Sequence, residues 1–212
     1  MDQYDTKRDT LNGLFLKKLI AGKSLIDDIH RLKDKARLYF NRAKLGRNAH
    51  EALQLQKAFQ LIINKFPENT EMVHVLLKLW KDTYDIEHDD LFIIAAFENY
   101  AKAVLLSRRY VVHLIQKPND LNRKQANTPI HINTIRAKKN FSELYFKHNT
   151  ISMTHLLKPN YLKVVGISDK SISAIRHYKN IRNSIHFGGP KIVFGDSIHY
   201  EGLIDLRLKI FS

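Results

Sequence analysis

The chain has no cysteine, so it forms no disulfide and offers no thiolate as nucleophile or metal ligand. It also lacks a long apolar run. Its longest purely apolar stretch, Leu91 to Phe97, falls far short of the roughly 20 residues that span a bilayer. The opening Met1-Asp2-Gln3-Tyr4-Asp5 is mixed in charge and has no basic-then-apolar leader pattern. A cytoplasmic location with no membrane partner is therefore expected. Histidines and acids abound, yet no two histidines stand at His-x-x-x-His spacing. His88-Asp89-Asp90 and Asp27-Asp28-Ile29-His30 are the best metal candidates, and capping and the helix dipole account for acids at a helix start. No metal and no cofactor are expected.

The remaining shortage is of acid, and it is local. The 212 residues carry a net charge of +14. Residues 1–100 hold 16 Lys+Arg against 15 Asp+Glu, whereas residues 101–212 hold 19 against 6. Residues 51–100 run the other way, 4 against 9, so an acidic segment lies between basic ones. A one-signed half attracts a polyanion and speeds its encounter, and nucleic acid is the commonest such partner.

Hydrophobic content of 44% with 26% charged residues suits a folded domain rather than a disordered chain. Apolar residues at three- and four-residue steps predict helix over 5–45, with a break near Ala21-Gly22-Lys23-Ser24 and an end at Gly46. Further helices are expected over 49–66, 71–82, 88–115 and 133–146. Residues 117–130 carry loop chemistry, and 150–167 are ambiguous around Pro159-Asn160 and Gly166. Ser168 or Asp169 caps a last helix that stops at Gly188-Gly189-Pro190. Branched and aromatic residues over 191–194 and 198–210, with Gly195-Asp196-Ser197 between, predict a small C-terminal β-hairpin. The expected architecture is all-α, a multi-helix bundle. It divides into an N-terminal helical part at 1–87, a core at 88–190 and a tail at 191–212.

The last helix carries the chemistry. On a wheel of ~100° per residue, Ala174, Tyr178, Ile181 and Ile185 form one apolar stripe. Arg176, Lys179, Arg182, Asn183 and His186 share another face, which holds no carboxylate. Arginine presents a planar fork suited to phosphate oxygens, histidine exchanges protons near neutral pH, and asparagine orients a neighbour or a substrate oxygen. On the helix through Leu91–Leu106 the charged pair is Glu98 and Lys102, four residues apart. Glu98 is read either as half of that intrahelical pair or as a group orienting Arg182 or His186.

Ile181-Arg182-Asn183-Ser184-Ile185-His186 resembles the signature of HEPN-domain proteins, whose last core helix carries an arginine, usually a polar residue next, and a histidine shortly after. Leu91 to Leu106, with its glutamate, lysine and Leu-Leu pair, is similar to the family's long helix, and Val111-Val112-His113-Leu114-Ile115 also fits. The resemblance covers about residues 88–187. It implies an all-helical homodimer with a composite active cleft, acting as a metal-independent endoribonuclease of the toxin–antitoxin or phage-defence kind. RNA is the implied substrate, and an antitoxin or other regulatory protein an implied partner. Arg182, Asn183 and His186 would be catalytic, Glu98 and Lys102 supporting, and Arg176 and Lys179 would contact RNA. Only three residues separate Arg182 from His186, whereas the family usually has a longer spacer. A catalytically inactive RNA-binding or assembly module is therefore the alternative expectation. In it, Tyr110, Phe141, Tyr145, Phe146, Tyr161 and Tyr178 either stack on bases or fill the core.

Overall fold

A computed structural model describes residues 24–76, 89–117, 119–137, 145–186 and 197–212. Among the described residues the protein is all-α apart from one two-stranded antiparallel sheet. In chain order, α1 is Ile26–Arg42, α2 the single turn Lys44–Arg47 and α3 Ala49–Lys65. A 3-10 turn at Pro67–Asn69 leads into helical residues 70–76. The long α4 is Asp89–Ser107, followed by β1 (His113–Lys117), α5 (Asn119–Gln125) and α6 (Ile132–Arg136). Next come β2 (Tyr145–Thr150), α7 (Met153–Leu156), α8 (Pro159–Val165), α9 (Asp169–His186) and α10 (Ser197–Phe211). Among the described residues no helix is long and apolar enough to cross a membrane.

Two compact units form, and they interleave along the chain. One takes the described part of Met1–Asp34 together with Glu98–Gly166; the other takes Lys35–Phe97 with Ile167–Ser212. The sequence divisions at 87/88 and 190/191 follow chain order instead. α1 and α4 each contribute residues to both units.

In the first unit the sheet is irregular. His113 pairs with Thr150, Ile115 with Phe146 and Lys117 with Tyr145, and the register shifts between each pair. Gln125, 2% exposed, stands in for a missing strand neighbour. Its carbonyl oxygen accepts the Ile115 N–H at 2.7 Å and its amide donates to the His113 carbonyl at 2.7 Å. Asn122 donates to the Ile115 carbonyl at 2.9 Å, so α5 is stitched along β1. Tyr161, wholly buried, donates to the Gln125 carbonyl at 2.7 Å, and burial pushes its phenol up beyond the ordinary range.

The second unit has a core of Ala43, Leu45, Ala49, Ala52, Leu53, Ile93, Ala174, Tyr178, Tyr200 and Leu203, with Phe92, Ile181 and Ile204 packed against it. Small residues on α2 and the start of α3 let these elements lie close. Gly46 is buried inside α2 against Phe40 and Ala43, so it fits a tight contact rather than ending the preceding helix.

Several local expectations change. The helix expected to reach 115 ends at Ser107; Arg109 takes a left-handed φ of 61°, and the branched, buried Val111 and Val112 lead into β1. Residues 119–125 are helical within the expected loop. Residues 132–136 keep helix, but 145–150 are strand, because β1 offers an edge to pair with. The ambiguous 150–167 resolves into α7 and α8, the latter closed by Gly166 at φ 74°. The C-terminal hairpin is corrected over 197–211, which is α10. Tyr200, Leu203, Leu206 and Ile210 are buried at three- and four-residue steps, and that burial overrides the branched composition. The companion strand at 191–194, like the Gly188-Gly189-Pro190 stop, lies outside the described residues.

Candidate functional site

The motif helix α9 begins at a built cap. Ser168 Oγ accepts the Ser171 N–H at 3.2 Å and donates to Asp205 Oδ2 at 2.9 Å, while Ser171 Oγ donates to the Gly202 carbonyl at 3.0 Å. Thus one serine satisfies an orphan helix donor and also ties α9 to α10. Both helices approach as closely as backbone allows. A Cβ at Gly202 would lie 2.1 Å from the Lys170 carbonyl oxygen and 2.9 Å from Ala174 Cβ. Lys170 also pairs with Glu201 at 2.7 Å on the surface. One turn further along α9, the rings of His177 and His199 stack with centroids 4.1 Å apart and planes 16° apart.

The core-facing stripe of α9 follows the expected pattern. Ala174 and Tyr178 are buried and Ile181 packs against the core cluster, joined by the buried Ile175. Opposite them, Arg176 and Asn183 are exposed, and Lys179 and Arg182 are half-buried. Arg182 Nε is buried with no hydrogen-bond partner among the described residues, and so is the Tyr178 hydroxyl. Positions 182 and 186 stand four residues apart on continuous helix, which places both on one face. The side chain of His186, with those of Ser184 and Ile185, lies outside the described residues.

Glu98 and Lys102 belong to the other unit. They form an intrahelical ion pair at 2.5 Å, 30% and 13% exposed respectively, so Lys102 supplies the partner that a carboxylate on so apolar a helix needs. Of the aromatic residues, Tyr161 and Tyr178 are core, and Tyr110 is half-buried with its ring edge against His131 at 5.3 Å. The side chains of Phe141, Tyr145 and Phe146 lie outside the described residues.

Asp89 has a role that its place in the sequence does not suggest. It is 3% exposed, and its carboxylate accepts the backbone N–H of Lys44 at 3.0 Å and that of Leu45. It therefore caps α2, an element distant in the chain. Burial raises its pKa to about 6, against the pull of the Leu45 and Lys44 amides and the Lys44 charge, with Asp90 adding to the rise. Burial, helped by Tyr200 and Asp89, lifts the Tyr178 phenol well above its usual value. In the other metal candidate, Asp27 and Asp28 occupy the first turn of α1. Among the described residues, no three His, Asp or Glu side chains gather as a ligand set.

The sequence reading did not single out the cations that flank α5 and α8. Residues 117–130 read as loop and 150–167 as ambiguous, so their lysines and arginines could not be assigned to a face. The Gly166 stop and the Asn-rich 119–127 stretch were the available signals. Comparison with protein-family models, with curated proteins and with solved structures gives no match to this chain.

Proposed function

We propose that the chain is a metal-independent endoribonuclease in which α9 presents the reacting groups. The observation that carries this reading is the sidedness of α9. One face is spent on the core through Ala174, Ile175 and Tyr178, while Arg176, Lys179, Arg182 and Asn183 lie off it. A solvated helix needs no such concentration of phosphate-binding groups, and Asp169 at its start is the only acid on α9. The resemblance to HEPN domains, carried by Arg182, Asn183 and His186, supplies the reaction.

In that reaction His186 takes the proton of a ribose 2′-hydroxyl. The 2′-oxygen attacks the adjoining phosphorus, and the bond to the 5′-oxygen breaks as that oxygen is protonated. The products carry a 2′,3′-cyclic phosphate and a 5′-hydroxyl. Arg182 offsets charge building on the phosphoryl oxygens, and Asn183 positions the phosphate or the imidazole. A second copy of the chain would complete a composite cleft, and an antitoxin or other regulatory protein would control it in a toxin or defence setting. The short Arg182–His186 spacer favours one other reading, an inactive RNA-binding or assembly module.

Total RNA incubated with purified protein in EDTA separates the two. Fragmentation that Arg182→Ala and His186→Ala both abolish, with folding retained, supports the nuclease. Intact RNA with all three proteins overturns it.

A further inference from the structure

The positive charge of this protein is concentrated away from the unit that carries α9. Glu98–Gly166 holds 12 Lys+Arg against 3 Asp+Glu, a net of +9. The whole unit formed by Lys35–Phe97 and Ile167–Ser212 holds 16 against 12, a net of only +4. The difference has a structural location. α8 buries Tyr161, Leu162 and Val165 and turns Asn160 and Lys163 outward. At its C-terminal end the Arg108 guanidinium donates to the Val164 carbonyl at 2.6 Å. At its N-terminal end Lys158 Nζ donates to Asn127 Oδ1 at 2.6 Å, and the Asn160 amide reaches the Asn127 carbonyl at 3.2 Å and Thr128 Oγ1 at 3.3 Å. The Asn127 and Thr128 amides donate back to the Lys124 carbonyl, which closes α5 just after Arg123 and Lys124.

Arg108, Lys163, Lys158, Lys124 and Arg123 therefore follow one rib, fixed at both ends by hydrogen bonds. Arg123, Lys124 and Lys163 are exposed and form no ion pair among the described residues. Asp120, a turn before Lys124 on α5, is the acid closest in sequence to the rib's α5 end. Exposed like charges on one surface repel one another, and neutralisation by a polyanion relieves that repulsion.

We infer that this rib, running from Arg108 along α8 to Lys124 and Arg123, is a phosphate-backbone docking surface for single-stranded nucleic acid, separate from α9. That the natural strand is RNA rests on the nuclease reading above; the docking itself does not. Each cation meets the phosphate backbone, so the surface contributes affinity and registers the strand without reading its sequence.

The test uses the full chain with His186→Ala, so that bound RNA stays intact. Its affinity for a fluorescent single-stranded RNA is measured at several salt concentrations, beside a triple variant Arg123→Gln/Lys124→Gln/Lys163→Gln and an α9 variant Arg176→Gln/Lys179→Gln. The triple variant is expected to bind at least tenfold more weakly and to lower the slope of log affinity against log salt by about 2, at roughly 0.7 for each phosphate no longer neutralised. The α9 variant, which removes two cations at the proposed cleavage site, is expected to weaken binding by a smaller factor than the triple variant, and DNA of the same sequence to bind within threefold of RNA. Unchanged binding by the triple variant overturns the inference. So does an equal loss in the α9 variant, an RNA preference above tenfold, or binding to phosphatidylserine vesicles in place of nucleic acid. If the triple variant fails to fold, Lys163→Glu alone carries the same expectation with a smaller loss. Failure here leaves cleavage in EDTA untouched, so the docking surface and the nuclease fall separately.

Discussion

The unit containing Glu98–Gly166 and the unit containing Ile167–Ser212 solve different problems with their polar groups. In the first, buried polar side chains repair an irregular backbone. Gln125 satisfies both an N–H and a carbonyl of β1, and Asn122 takes a second carbonyl. Arg123, Lys124 and Lys163 are left on the outside. In the second, buried polar groups hold elements in place: Asp89 pins the start of α2, and Ser171 reaches the Gly202 carbonyl across the α9–α10 contact. In the proposed reading, charge attracts nucleic acid from the first unit, and geometry is fixed in the second. If both proposals hold, a variant can lose attraction without losing the proposed reacting groups, and the reverse.

That separation gives the largest expected effect. Arg182→Ala should lower the rate of RNA cleavage by about 10²–10⁴-fold while leaving RNA affinity within a few-fold. Steady-state kinetics read this as a fall in kcat. A mainly KM effect would place Arg182 with the docking cations instead.

Gly202→Val tests the fixed geometry of the second unit. With a Cβ already 2.1 Å from the Lys170 carbonyl oxygen, α9 and α10 must separate, at a cost of about 3 kcal/mol or more. A thermal melt should fall by roughly 6–12 °C. An unchanged melt would show that the helices tolerate a wider spacing.

Gln125→Leu is the matching test of the first unit. It leaves the Ile115 N–H and the His113 carbonyl without their partner, at about 2–3 kcal/mol. Hydrogen exchange should quicken in 111–125 before it does in α9; uniform acceleration would mean that the two units open together.

Asp89 gives the smallest and most specific signal. An acid whose folded pKa rises to about 6 is held more comfortably when protonated. Its stabilising contribution is complete below about pH 3.8 and is lost as pH rises through 6. Asp89→Asn removes that dependence. The stability difference between wild type and variant should drift by on the order of 2 kcal/mol across pH 4 to 7, in the direction that wild type loses ground as pH rises. A difference that stays flat would mean that Asp89 titrates as an ordinary carboxylate.

Much of the fold was legible where one periodicity dominated. α3 and α9 follow their apolar steps to within a residue or two at the described ends, and the stripe of Ala174, Tyr178 and Ile181 is the core face expected. Legibility failed where distant partners decide. Residues 198–210 look like strand by composition, yet the burial of Leu203 and Leu206 demands helix. The helix expected to run through Phe146 gives way at Tyr145, where Tyr145–Thr150 pairs with β1 as a strand. For the site, Arg182 and Asn183 could be named from sequence because their helix could. The rib along α8 could not, since it is assembled from three chain segments, around Arg108, Arg123–Lys124 and Lys158–Lys163, joined by hydrogen bonds of Arg108, Lys158 and Asn160.

The most direct measurement is the end chemistry of a defined RNA oligonucleotide incubated with the protein in EDTA, beside the same strand with a single 2′-deoxy residue at the cut site and a His186→Ala control. The account predicts a 2′,3′-cyclic phosphate and a 5′-hydroxyl from the all-ribose strand, and no cut at the deoxy position or with the variant. Cleavage that persists at the deoxy position, or that survives loss of His186, would contradict it.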